Sequence, residues 1–316
     1  MSSIGLSEHE YRALTEACGL LDRSERGKLA LTGTEAKSFL QGQVSNDVES
    51  LSPRSGCYAA FLTPKGKMLG DLRILDAGEE LLLDTERAAL QELFNMIRRF
   101  SIGYDVQLHK RTIERGLLSL IGPESASLVR AGELDGVAEH SHVPVSVGGV
   151  EALAIRTEAG VDLLCECSET DALRAALQAA GAVEVSAETA ECVRVEHGRP
   201  RYGLDLDETV IPQEAGLNER AVSFTKGCYV GQETVARLYY RGKPNRHLRG
   251  LKLSEAATTG DEVRFGDRVV GHLGSVAISP RFGFIALALV RREAEPGSQV
   301  VVGEGVEAEV VELPFH

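Results

Sequence analysis

From Pro244 onward the chain carries only strand-length apolar segments, each stopped by Gly or Pro. This tail restricts the fold more than any other feature of the sequence. Leu248–Leu253 (LRGLKL), DEVRF, RVVGHLGSVAIS, FGFIALALV, SQVVV and VEAEVVEL follow one another with no helix-length pattern between them. Short strands at close spacing, broken by turn residues, predict a small antiparallel β-barrel. The boundary falls at Gly242–Pro244, which divides the chain into a core at 1–243 and a barrel at 244–316.

Upstream, the pattern changes to strands alternating with helices. Lys28–Thr32 reads as a strand, and Thr34 is placed to cap a helix through Leu40. Gly56–Leu62 and Met68–Leu75 flank TPKG (Thr63–Gly66) as a hairpin. Glu80–Asp84 reads as a buried strand, and Glu86–Arg99 as an amphipathic helix with Leu90, Leu93 and Ile97 on one face. A second round starts near residue 115 and includes strong helices at Asp171–Ala180 and Ala187–His197. Two such rounds with hairpins predict an α+β chain of ferredoxin-like split βαβ units rather than a doubly wound parallel sheet.

The 316 residues carry a formal charge of −13. That excess of acid argues against broad binding to nucleic acid or anionic lipid, though not against a local basic patch. No apolar run approaches the ~20 residues that span a bilayer. The first residues lack a charged n-region followed by an apolar stretch, so the expected location is the cytoplasm. Six cysteines are scattered without a CxxC pair, as in a reduced protein. With no heptad or repeat to pair, the expected state is a monomer. Tryptophan is absent, so a flat ligand would have to stack on Tyr, Phe, His or Arg.

FTKGCYVGQETVARLYYRG (Phe224–Gly242) sets a lone Cys228 between Gly227 and Gly231, two residues after Lys226 and just before a helical pattern. A neighbouring lysine and a helix N-terminus both favour thiolate, while a packed core thiol is the plain alternative; local features leave the two open. The glycines would let the backbone turn sharply or approach a ligand. Glu196, near the end of a helix, has the chemistry to accept two hydrogen bonds from an amino-pyrimidine edge; a helix-end ion pair with Arg194 or Arg199 is the plain reading. Cys165 and Cys167 alternate onto one face of a strand as a weak metal candidate. His140 and His142 read as solvated loop residues, and Asp205, Asp207 and Glu208 as a solvated turn. Lys65 and Lys67 read as an exposed hairpin. No metal site is expected.

FLQGQVSNDV (Phe39–Val48), TPKGKMLGDLRI (Thr63–Ile74), EHGRPRYGLDLDETVIPQEAGL (Glu196–Leu217) and the Phe224–Gly242 stretch together resemble the YgfZ family, within the aminomethyltransferase (glycine-cleavage T-protein) fold group. The resemblance runs from about Leu20 to the C-terminus, and KGCYVGQE is its most specific part. It implies a folate-binding α+β core with a C-terminal barrel, and a role in assembling or repairing iron–sulfur clusters, including those of tRNA-modifying radical-SAM enzymes. It implies tetrahydrofolate as cofactor and iron–sulfur client or assembly proteins as partners. It assigns function to Cys228, which would transiently hold a sulfur or iron–sulfur species or accept a one-carbon unit, and to Lys226 beside it. Glu196, Gly227, Gly231 and Arg237 are the implied cofactor-binding positions, with the pterin in a channel between the α+β units and Cys228 facing it. The alternatives are a folate-dependent aminomethyltransferase and a non-catalytic assembly scaffold. True aminomethyltransferases use an aspartate in an Asn-rich stretch after the first central strand. Here that stretch reads LLLDTERAALQEL (Leu81–Leu93), and the position falls at Gln91 or beside it.

Overall fold

The computed structural model describes residues 6–316. Two sheets and a closed barrel carry the chain. The first sheet is five-stranded, in the order β3 (Gly56–Leu62), β4 (Met68–Asp76), β5 (Leu81–Thr85), β2 (Gly27–Thr32), β6 (Gln107–Lys110). All its pairings are antiparallel. Helices α2 (Ala36–Gln43) and α3 (Leu90–Phe100) cover one face. Leu93 and Ile97 of α3 join Phe39 and Leu40 of α2 in its core. Helix α3 starts four residues later than the spacing suggests: residues 86–89 form a turn in which the Ala89 amide donates to the Glu86 carbonyl at 3.0 Å, while the Glu86 carboxylate pairs with Arg23 and Arg26. Thr34 does not cap α2: its amide and hydroxyl bond Asp105 instead, and the helix begins at Ala36.

The second sheet is six-stranded, in the order β11 (Val183–Glu184), β1 (Gly19–Asp22), β7 (Arg115–Ile121), β10 (Gly160–Glu166), β9 (Val150–Thr157), β8 (His142–Val147). Short α4 (Ser125–Leu128) and α5 (Thr170–Ala179) pack on it. Strand β1 reaches this sheet from the start of the chain, antiparallel to β7 and parallel to β11. The two α+β units are therefore not consecutive. Helix α1 (Glu8–Glu16) and β1 belong with residues 115–184, and the first sheet is inserted between them. Two short crossings, 23–26 and 111–114, join the insert to its host, tied by Arg23 N–H to the Leu117 carbonyl at 2.8 Å and Arg111 N–H to the Lys28 carbonyl at 2.9 Å.

The faces of the two sheets meet through Ala30, Leu75, Leu82 and Ile155. Beside them buried Arg73 bridges Asp84 of one sheet (2.7 Å) and Asp162 of the other (2.6 Å), and Ser119 closes on Asp162 at 2.6 Å. Removing one partner from such a buried pair leaves an uncompensated charge, so this contact fixes how the units sit.

Helix α6 (Ala187–Glu196) leads into an irregular stretch carrying α7 (Asn218–Ala221) and α8 (Gln232–Arg241), and then the barrel. Six strands close it, β12 (Arg246–Leu253), β15 (Gly283–Arg291), β14 (Arg268–Ser279), β13 (Glu262–Phe265), β16 (Gln299–Val302) and β17 (Val306–Val311), around a core of small and branched side chains. Closure leaves no free edge. No helix among the described residues is long and apolar enough to cross a membrane.

Candidate functional site

Helix α6 is capped by Ser186, whose Oγ accepts from the Thr189 amide. It packs on α1 and on the barrel, which buries Glu196 in its last turn. The carboxylate accepts hydrogen bonds from Tyr11 Oη (3.0 Å to each oxygen), Ser279 Oγ (2.5 Å) and Cys192 Sγ (3.7 Å). Neither the ion pair with Arg194 nor the one with Arg199 forms: Arg194 bonds Glu191 and Asp205, and Arg199 bonds Glu158. Burial, with the nearby Glu196 charge, pushes Tyr11 and Cys192 well up, so both remain donors. The outcome is a buried carboxylate held by neutral donors, with Oε2 receiving only the tyrosine.

Glu196 lines a cavity of about 560 Å³ between α1, the second sheet and the barrel, together with Tyr11, Arg156, His197, Arg281 and Phe282. That is within the size range of small-molecule sites. Phe282 and Phe315 lie 5.9 Å apart by ring centroids, and the Arg281 guanidinium sits 4.7 Å from the Phe282 centroid. A carboxylate without a cation, beside aromatic rings, suits a flat heterocycle that donates two N–H groups. Tyr11, Ser279 and Phe282 escaped the sequence reading, since they lie 185, 83 and 86 residues from Glu196. A tyrosine in a Ser7-capped amphipathic segment was the only signal for Tyr11.

Cys228 stands elsewhere. It is exposed, in the loop that precedes α8. Lys226 turns away from solvent and spends its three N–H groups on the carbonyls of Gln41 (2.6 Å), Val44 (2.8 Å) and Asn46 (2.7 Å). These carbonyls end α2 and begin the next loop, a position where lysine is favourable. Burial pushes the ammonium down to about 8 while Asp47, Cys57 and Glu49 pull it upward. Half-buried Cys57, near Lys226, is driven by burial up to about 12. Gly231 has φ +86°, and a Cβ there would meet the Thr63 carbonyl at 2.6 Å; at Gly227 it would meet nothing within 4 Å. Arg237 is exposed on α8 and does not line the Glu196 cavity.

Other expectations change. His140 and His142 are buried, not solvated: His142 lies between the carbonyls of His140 and Asp76, both at 3.1 Å. Burial drives His140 down to about 4. Asp205 is buried against Arg194 and the Ser275 amide, so the acidic turn is only partly solvated. Cys165 is buried while Cys167 is exposed at the start of a 3-10 turn, so the two do not share a face. Lys67 gives its Nζ to the Thr209 carbonyl, while Lys65 is exposed as expected. Gln91 is exposed on α3 and donates to Asn95 at 2.9 Å.

Residues 4–226 match the family described as GCVT N-terminal domain, and residues 246–316 match the glycine cleavage T-protein C-terminal barrel domain. The aminomethyltransferase of Rubrobacter xylanophilus is 31% identical over 97% of this chain and 85% of its own length. That of Thermotoga petrophila is 31% identical over 97% and 88%. The crystal structure of the glycine cleavage system aminomethyltransferase T from Bartonella henselae superposes with a TM-score of 0.86, covering 98% of this chain and 89% of that one at 22% identity, which speaks for the fold. The chain belongs to the glycine-cleavage T-protein (aminomethyltransferase) family, both domains included.

Proposed function

We propose that this chain is a tetrahydrofolate-binding protein that holds the pterin in the Glu196 cavity. The observation that carries this is the buried Glu196 carboxylate, in no ion pair among the described residues and held by Tyr11, Ser279 and Cys192 inside a cavity with aromatic rings in its lining. The relatives' name, aminomethyltransferase, supports folate as the ligand. Glu196 would accept from the amino-pyrimidine edge, Tyr11 and Phe282 would flank the ring, and Arg156 and Arg281 are the cations nearby for the acidic tail. Tetrahydrofolate supplies the one-carbon chemistry when bound; the chain's part is to orient it and exclude water.

Full-length likeness to aminomethyltransferases supports transfer of an aminomethyl group to that folate. Two observations favour a second reading. The aspartate that this transfer uses falls at Gln91 or beside it, at Leu90 or Glu92, where no aspartate stands, while KGCYVGQE presents an exposed Cys228. They support a YgfZ-type role in iron–sulfur protein maturation, with Cys228 as the functional thiol and Lys226 positioning its loop. One set of measurements separates the readings. Tetrahydrofolate titration should show saturable binding to the wild type, and no binding at millimolar ligand ends the proposal. Aminomethyl transfer from a lipoyl carrier, retained in Cys228→Ser, selects the first activity. Absent transfer, with loss of iron–sulfur enzyme activity in a Cys228→Ser strain, selects the second.

A further inference from the structure

A surface beside Cys228 is organised in a way that folate binding does not require. Phe224 and Tyr239 stack at 3.8 Å and 16°, and Tyr240 stands edge-on to Tyr239 at 5.0 Å and 81°. Tyr239 and Tyr240 nevertheless remain 49% and 66% exposed. Ordered aromatic groups left open to water are the usual anchors of protein interfaces. Lys65, Arg237, Arg241 and Lys243 are all exposed, and among the described residues none forms an ion pair. Glu233 is the acid on the outward side of α8. Exposed arginines without an ion pair also occur elsewhere, as at Arg98, Arg99, Arg291 and Arg292, so what marks this surface is the aromatic cluster beside its cations.

The surface begins beside the thiol and runs along α8 to Lys243. A Cβ on Gly66 would come within 2.9 Å of Thr234 Cβ, which sets Lys65 at the start of α8. Cys228 is three residues from Gly231 and four from Phe224, so it lies within about 11 and 14 Å of them along the chain. The platform is also rigid. Val235 and Leu238 anchor α8 to the core, the Val230 amide bonds the Gly42 carbonyl at 3.2 Å, and Lys226 pins the loop.

We infer that the outer face of α8, with Phe224 and the tip of the β3–β4 hairpin, docks an acidic protein segment carrying an apolar anchor and brings it to Cys228. Charge complementarity selects the acidic partner: unpaired cations gather here on a chain whose formal charge is −13. The aromatic geometry favours a protein over a nucleic acid. One face of Tyr239 is already covered by Phe224, whereas single strands need open ring faces for successive bases. The surface needs neither Glu196 nor its cavity, so it stands apart from the folate reading.

The test is fluorescence anisotropy with a short labelled Asp/Glu peptide bearing a central Leu-Phe pair, against a peptide with Lys in place of each acid and a labelled oligo-dT. The acidic peptide should bind, weaken with salt, and lose roughly tenfold in affinity in the R241E/K243E variant, about 1.4 kcal/mol. Tyr240→Ala should weaken it several-fold, with tetrahydrofolate affinity unchanged in both. Equal binding of the lysine peptide, indifference to R241E/K243E, or no binding overturns the inference. Tighter binding of oligo-dT would assign the surface to nucleic acid, and sedimentation showing self-association abolished by R241E/K243E would assign it to a second copy.

Discussion

The Glu196 cavity and the Cys228 loop solve opposite problems. At Glu196, side chains from α1, α6 and the barrel converge on one buried carboxylate and leave it part of its accepting capacity. At Cys228, side chains withdraw: Lys226 is folded down onto the carbonyls after α2, and the thiol is left to solvent. Under the proposed reading, the first arrangement would retain a small molecule and the second would present a thiol to something that arrives from outside. A single enclosed site with both residues on one ligand would not need this separation, and each half is open to perturbation without the other.

The largest effect should come from Glu196→Ala. Loss of a buried, charged hydrogen-bond acceptor should cost about 1.5–3 kcal/mol of tetrahydrofolate affinity, roughly 10–100-fold by calorimetric titration. The alkylation rate of Cys228 should not change; a parallel change would merge the two regions. Next is Lys226→Met, which strands three carbonyls and should destabilise the protein by about 1–3 kcal/mol. Faster amide exchange should be confined to residues 41–46 and 223–231, with folate affinity kept. This variant also sharpens the comparison through pH. Burial lowers Lys226 from 10.5 to about 8, so between those values the unfolded chain binds more protons than the folded one. The wild type's stability relative to the variant should therefore rise from pH 8 to pH 10 in denaturant titrations, and a flat difference would contradict the burial. The two glycines come last and differ from each other, the smallest effect being at Gly227. Gly231→Ala, at φ +86° and against the Thr63 carbonyl, should cost about 1–3 kcal/mol by thermal unfolding, while Gly227→Ala should stay within about 0.5 kcal/mol.

The barrel was legible because its strands are short, local and punctuated by Gly and Pro. The hairpin around TPKG was legible for the same reason. Helix α1 and β1 were not, since β1 finds its partners β7 and β11 about 100 and 160 residues later, and no local period encodes that. Glu196 was legible as a helix-end carboxylate, but its escape from Arg194 and Arg199 depends on Asp205 and Glu158, which claim those cations. Lys226 beside Cys228 reads as an activator along the chain. In space its amine spans about 180 residues to Asn46 and its neighbours, which makes it a clasp. The buried histidines were misread because a loop next to Pro144 looks solvated until β3 and β4 are laid against it.

The insertion of the first sheet between β1 and β7 sets a schedule for the growing chain. Residues 27–110 can complete their own five-stranded sheet as soon as they emerge, while β1 has its hydrogen-bonding edges unfilled until residues 115–121 and 183–184 are made. The host unit is thus opened first and closed last. Tyr11, carried on the waiting segment, meets Glu196 only when α6 has followed, and Ser279 and Phe282 are added later still, so the Glu196 cavity is among the final parts of the molecule to exist.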